Sequence, residues 1–192
     1  MPVMVGLDID GVLADFLTPF LEVVERETGN GPIPPESITD FKFKEHPYLK
    51  EAIVLKCMDE VSNTAAFWRD LKPLITPAEW RKLSELSREN RLVFITHRYE
   101  RDTYSIRDVS CEWLERYGII NPAVNFTQVP KASLIQDLGV SLFVDDRHEN
   151  CEDVATQTAA TVLMPDRTYN QSFTHPRVKR IWNFSELFDH LD

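Results

Sequence analysis

Short apolar runs of three to five residues recur along the chain, and amphipathic stretches separate them. Residues 3–7 run into Asp8, 92–95 into Thr96, 124–126 into Thr127, 142–144 into Asp145 and 161–164 into Pro165. Continuous branched or aromatic runs of this length predict strands buried on both faces, as in a parallel sheet covered by helices. Between them, residues 78–90 space Trp80, Leu83 and Leu86 three apart. Residues 102–117 gather Ile106, Val109, Trp113 and Leu114 on one face before Gly118, a natural helix stop. Residues 131–138 and 150–160 predict two further helices. Strands alternating with helices predict an α/β fold, a Rossmann-like parallel sheet flanked by helices with right-handed crossovers. Polar residues repeatedly occupy the strand C-terminal ends, where open parallel sheets bind ligands.

Residues 18–71 break this rhythm. An amphipathic stretch with Phe20, Leu21 and Val24 stops at Gly29-Asn30-Gly31, and Pro32, Pro34 and Pro35 follow. An aromatic run of Phe41, Phe43 and Tyr48 then leads into a helical piece over 49–61. The expected organisation is a core of residues 1–17 and 72–192, with 18–71 a small, mainly helical cap inserted after the first strand. The alternative is a longer first crossover. Trp80, Trp113 and Trp182 read as packing residues, and Phe41, Phe43 and Tyr48 as the inside or surface of the cap.

The 192 residues carry 21 Lys+Arg against 31 Asp+Glu, a formal net charge of −10. That balance disfavours a grip on extended DNA or RNA, which needs clustered cations, but leaves a single phosphate as a substrate group. Cys57, Cys111 and Cys151 are widely spaced, with no zinc-like pattern and no disulfide framework expected. No apolar stretch approaches the roughly 20 residues of a membrane span. The N-terminus lacks the layout of a signal peptide. A reducing, cytoplasmic compartment is expected, with the oligomeric state open and a homodimer one option.

Candidate chemistry gathers at two strand ends. Asp8 and Asp10, one residue apart in Leu7-Asp-Ile-Asp-Gly-Val-Leu13, follow the first strand, and Asp145-Asp146-Arg147 follows another. Buried unpaired carboxylates cost several kcal/mol each, so such pairs face water, a cation or a reaction. A parallel sheet brings both strand ends to one edge, and an all-oxygen ligand set favours Mg²⁺ over zinc or copper. Taken singly, either pair also fits a solvated turn. Thr96 at a strand end offers a hydroxyl to an anion, or simply caps a helix. Lys131 opens a predicted helix, where a cation opposes the helix dipole, which points to an anionic partner.

Asp-x-Asp, then Thr, then Lys, then Asp-Asp, each in a βα setting, resembles the four motifs of the haloacid dehalogenase superfamily of phosphotransferases across most of the chain. Within it, residues 8–16, Phe67-Trp-Arg-Asp-Leu71, Val144-Asp-Asp-Arg147 and Asp166-Arg-Thr-Tyr-Asn170 are similar to 5′(3′)-deoxyribonucleotidases. His97 stands where relatives carry a small residue such as Ser or Ala.

The resemblance implies a Mg²⁺-dependent phosphomonoesterase acting on nucleoside monophosphates through an aspartyl-phosphate. Asp8 would be the nucleophile and Asp10 the general acid and later base. Thr96, His97 and Lys131 would bind phosphoryl oxygens. Mg²⁺ would be held by Asp8, the Asp10 backbone carbonyl and Asp146, with Asp145 behind them or as the alternative ligand. As an acid Asp10 must be protonated, and neighbouring carboxylates push that way. Phe16, Phe67 and Trp68 are the candidates to pack against a base. A sugar phosphatase, a polynucleotide 3′-phosphatase and, more remotely, a receiver-type signalling domain are the competing readings.

Overall fold

The chain begins with β1 (Val5–Leu7), β2 (Ala14–Asp15), α1 (Leu17–Thr28), α2 (Glu51–Ser62), α3 (Ala65–Arg69) and β3 (Lys72–Pro73). Next come α4 (Pro77–Arg88), β4 (Leu92–Thr96), α5 (Ile106–Arg116), β5 (Val124–Phe126), α6 (Ala132–Asp137) and β6 (Leu142–Val144), and the last elements are α7 (His148–Gln157), β7 (Thr161–Pro165) and β8 (Val178–Ile181). The computed structural model describes residues 2–191, so Met1 and Asp192, the two ends of the expected core, lie outside it.

Six strands form one parallel sheet in the order β5-β4-β1-β6-β7-β8. The α/β fold expected from the apolar runs is therefore present. From β1 the chain moves outward to β4 and β5, then returns to β6 on the other side. The C-terminal end of β1 is thus a topological switch point, where open sheets have their ligand crevice. Val5, Leu7, Phe94, Phe143 and Val144 have no exposed surface. Each such side chain stabilises the fold by about 1.5–3 kcal/mol relative to exposure.

Helix boundaries follow local chemistry. Gly29 ends α1 in the left-handed conformation at φ 66°, and its N–H donates to the Glu25 carbonyl. Thr76 and Glu79 form a capping box before Pro77 at the start of α4. The helix expected from residue 102 begins only at Ile106, because Ser105 caps it by accepting from the Asp108 N–H. That leaves residues 97–105 as a loop on the ligand edge.

Two expectations need correction. Trp182, read as packing, is 71% exposed. It follows β8, an edge strand that no continuous apolar run marks. Val178-Lys-Arg-Ile181 is only half apolar, because an edge strand with one covered face does not need a continuous run.

The antiparallel ribbon of β2 and β3 brings together the two ends of the segment between residues 15 and 72. Phe20, Leu21, Val24, Ile33, Ile38, Leu49, Cys57 and Val61 cluster together, and Tyr169 from the far end of the chain joins them. Further on, α3 joins the main core: Trp68 and Leu71 pack there, and the Trp113 indole N–H of α5 donates to the Leu71 carbonyl at 2.8 Å. Among the described residues, no helix is long and apolar enough to cross a membrane.

Candidate active site

Asp8 leaves β1 with its N–H donated to the Val144 carbonyl at 2.9 Å, which ties it to the end of β6. The chain then curls tightly: the Leu13 and Ala14 N–H groups both return to the Ile9 carbonyl, with Gly11 at φ 77°. A Cβ at Gly11 would overlap the Asp146 carboxylate. Glycine is needed there both for the backbone conformation and to leave Asp146 its space. Asp8 of the first acidic pair meets both members of the second, far away in sequence: Asp8, Asp145 and Asp146 each offer an oxygen atom within 4.8 Å of the others.

Lys131 supplies the counter-charge. It has no exposed surface, and its ammonium lies 2.7 Å from Asp145 Oδ2 and 3.0 Å from Asp8 Oδ1. It also donates to the Ile95 carbonyl at 2.8 Å. Burial works against its charge, but Asp145 and Asp8 outweigh it and raise the pKa. The anionic partner expected of a Lys at a helix start is therefore a pair of carboxylates. With three partners for three N–H groups, Lys131 stands behind Asp8 rather than in the cavity wall.

Asp145 is fully buried and held from three sides by Lys131, the Asn150 amide at 3.0 Å and the Arg147 N–H at 2.8 Å. Asp146 is placed differently. It lines the cavity, and its Oδ2 accepts the Tyr169 hydroxyl at 2.6 Å. Burial, then the charge of Asp145, pushes the Asp146 carboxyl up to about 7, although Tyr169, Arg167 and Lys131 pull it down. Burial also raises Asp8, against the pull of Lys131 and with help from Asp145 and Asp146. Three carboxylates facing one ammonium out of water lack positive charge. Their hard oxygen donors fit a divalent cation of the Mg²⁺ type.

The cavity beside them measures about 270 Å³. Asp8, Asp10, Thr96 and His97 line it together with Phe16 and Trp68. Phe16 stacks on Trp68 with centroids 5.7 Å apart. Phe67 is not in the wall; it meets both rings edge-on from behind. Phe41 and Phe43, expected inside or on the surface of residues 18–71, pack on the cluster there and also line the cavity. His97 Nε2 lies 3.3 Å from the Val129 carbonyl oxygen. Burial, then Lys131, lowers its pKa and favours the neutral ring.

Two contributors were missed from the sequence. Tyr169 lies in the Asp166–Asn170 stretch, read as either a loop near the site or a polar turn; it reaches Asp146 and meets Phe41 edge-on. Arg98 forks onto Asp10, Nε to Oδ2 at 2.8 Å and Nη2 to Oδ1 at 2.6 Å. The hydrogen-bond partner of Asp10 is thus a cation, whereas the sequence had put the neighbouring carboxylates first. No local pattern marks Arg98, since its partner is 88 residues away.

Comparison with known proteins places this arrangement. A "putative nucleotidase" of Halalkalibacterium halodurans is 25% identical over 94% of this chain and 88% of its own length. One of Bacillus subtilis is 23% identical over 94% and 89%. In fold, the chain is similar to a haloacid dehalogenase (HAD) family hydrolase of Entamoeba histolytica, with a TM-score of 0.59 and 17% identity over 96% of this chain and 94% of that one. The family model described as 5′ nucleotidase, deoxy (pyrimidine), cytosolic type C protein matches residues 1–190. The chain therefore belongs to that 5′-nucleotidase family, shares its fold with HAD hydrolases, and is an enzyme of the phosphatase class with a small phosphate-bearing substrate.

Proposed function

We propose that the enzyme is a Mg²⁺-dependent phosphomonoesterase of the cytoplasm that hydrolyses nucleoside monophosphates, 5′(3′)-deoxyribonucleotides in particular. The carrying observation is the meeting of Asp8, Asp145 and Asp146 around Lys131 beside an aromatic cavity. Asp8 attacks phosphorus in line, and the bond to the leaving oxygen breaks as the aspartyl-phosphate forms. Asp10 gives a proton to that oxygen. Water then attacks phosphorus, Asp10 takes its proton, and Asp8 is released. Thr96 and His97 face the phosphoryl oxygens from the cavity wall, and Lys131 offsets the carboxylates from behind.

Asp8, Asp146 and the Asp10 backbone carbonyl would hold Mg²⁺, with Asp145 as their support. The ion would supply the positive charge that a carboxylate needs beside a phosphate dianion. Phe16 and Trp68 form the wall for the base, and residues 18–71 act as a cap that excludes water. The placement of Phe41, Phe43 and Met58 in the cavity wall supports that role.

Phosphate release measured over nucleoside monophosphates and hexose phosphates with Mg²⁺ tests the substrate. Nucleotides are expected to lead by at least about tenfold in kcat/KM, since stacking on an aromatic ring contributes about 1–3 kcal/mol per base. Phe16→Leu should remove most of that lead and change p-nitrophenyl phosphate turnover by less than about threefold. Equal loss on both substrates would refute a base-binding role.

Metal dependence has its own signature. The raised Asp146 carboxyl keeps a proton in the folded, metal-free state that the unfolded chain has released, between its ordinary value of 3.8 and about 7. Stability from this group therefore falls as pH rises through that window, and a bound cation replaces the proton. Saturating Mg²⁺ should raise the melting midpoint by about 5–10 °C at pH 8. At pH 5 the gain should be much smaller. Chelator should stop turnover and Mg²⁺ restore it. A midpoint and a rate indifferent to both would end the metal assignment.

A further inference from the structure

Arg98 takes no part in the steps above, yet it is 3% exposed and directed at the site. It lies two residues beyond Thr96, in the loop that follows β4. Its guanidinium is gripped from three elements. Nε and Nη2 fork onto Asp10 at 2.8 and 2.6 Å, and Nη1 donates to the buried Ser110 hydroxyl of α5 at 2.9 Å. Its central carbon stands 4.8 Å from the Trp68 ring centroid on α3. The backbone is pinned as well, with the Arg98 N–H on Thr96 Oγ1 at 3.3 Å and its carbonyl accepting the Gln128 amide at 3.1 Å.

A buried ion pair is weak evidence for stability, because removing both charges from water costs about as much as their attraction returns. Such a pair at a cavity wall calls for another reason. Asp10 needs one. It follows Asp8 by two residues, and the two carboxylates repel each other. Its own side chain keeps about a fifth of its surface, 21%, exposed. Left alone it would swing toward solvent. A planar guanidinium locked by Ser110 and Trp68 fixes both carboxylate oxygens at once, which a lysine ammonium cannot do.

We propose that Arg98 is a positioning residue that holds the Asp10 carboxylate at the cavity wall for the water-activating step. The inference rests on the reading of Asp8 as nucleophile and Asp10 as base. In that step a water oxygen bonds to phosphorus, its proton passes to Asp10, and the bond between Asp8 and phosphorus breaks. Arg98 stays a cation throughout and exchanges no proton. A base out of place slows this step, whereas p-nitrophenolate leaves in the first step without needing a proton. Arg98→Met should therefore release about one equivalent of p-nitrophenol in a fast burst. A steady state about 100-fold slower than wild type should follow, the scale of a lost general base. The aspartyl-phosphate should accumulate and be trappable in acid.

The experiment is rapid-quench turnover of p-nitrophenyl phosphate with Mg²⁺, alongside acid trapping of ³²P-labelled enzyme. It compares wild type, Arg98→Met, Arg98→Lys and Ser110→Ala. Arg98→Lys should keep the burst and recover only part of the steady rate, since an ammonium restores charge but not the fork. Ser110→Ala should give the same pattern at about three- to tenfold, and it covers the case in which Arg98→Met does not fold. Slowing without a burst or trapped phosphoenzyme in the folded variants would overturn the inference, as would steady rates within about threefold of wild type. Wild-type enzyme that releases no phosphate from any ester would instead overturn the proposed function.

Discussion

Asp8→Asn is expected to abolish phosphate release, by about 10⁴-fold or more, while leaving the protein folded. The two side chains have nearly the same shape, but an amide oxygen is a poor nucleophile toward phosphorus, and removing a nucleophile costs a rate factor of this order. The fold should tolerate the change. Lys131 keeps Asp145 Oδ2 at 2.7 Å and the Ile95 carbonyl at 2.8 Å, and the asparagine carbonyl can still accept from it at the Asp8 position. One charge fewer among three close carboxylates also relieves repulsion. The melting midpoint should therefore stay within about 5 °C of wild type, a change of about 1–2 kcal/mol. Phosphate release and a melting curve on the same preparation decide the matter. Residual turnover above about one percent would remove Asp8 as the nucleophile.

Lys131→Met should cost both stability and activity. The substitution keeps an unbranched chain but leaves Asp8 and Asp145 buried without their cation, and the Ile95 carbonyl without its donor. Breaking one side of a buried ion pair costs about 3–5 kcal/mol, and an orphaned buried carbonyl about 1–3 kcal/mol. For a chain of this size the midpoint should fall by roughly 10 °C or more. Lys131→Arg should recover little, because the ammonium sits in a site with no exposed surface, where a larger planar fork must displace packed neighbours. Denaturant unfolding of the three proteins in chelator measures the effect without metal. A Lys131→Met midpoint equal to wild type would show that the buried cation contributes nothing to the fold. In turnover, Lys131→Met should lose at least about 10³-fold, since a charge that offsets the nucleophile's surroundings is missing at every step.

Not every residue of the site was equally legible. Asp8, Asp10, Asp145 and Asp146 stand at strand ends that the apolar runs announce, so the parallel sheet alone predicts their convergence. The helix-dipole argument at Lys131 led to the right kind of partner, an anion, but not to carboxylates of its own chain. Base-packing candidates were harder. Phe16 and Trp68 line the cavity, while Phe67, adjacent to Trp68, supports it from behind. Neighbours on a single turn point in different directions, and the sequence carries no mark of which one turns inward. Phe41 and Phe43 lie in irregular backbone, where no periodicity reveals a face.

Through its order of apolar runs and polar strand ends, the sequence by itself determined an α/β sheet with an acidic edge. Those signals are local, since a strand buried on both faces must be apolar at nearly every position and must end where the chain meets water. Only the tertiary structure decided which carboxylate stays open to the cavity and which is enclosed. Asp145 and Asp146 are adjacent and chemically identical, yet one is enclosed by Lys131 and Asn150 and the other lies against Gly11 and Tyr169. The fork of Arg98 onto Asp10 belongs to the same class. Such pairings join residues that only the closed sheet brings within hydrogen-bonding distance, and no spacing along the chain encodes them.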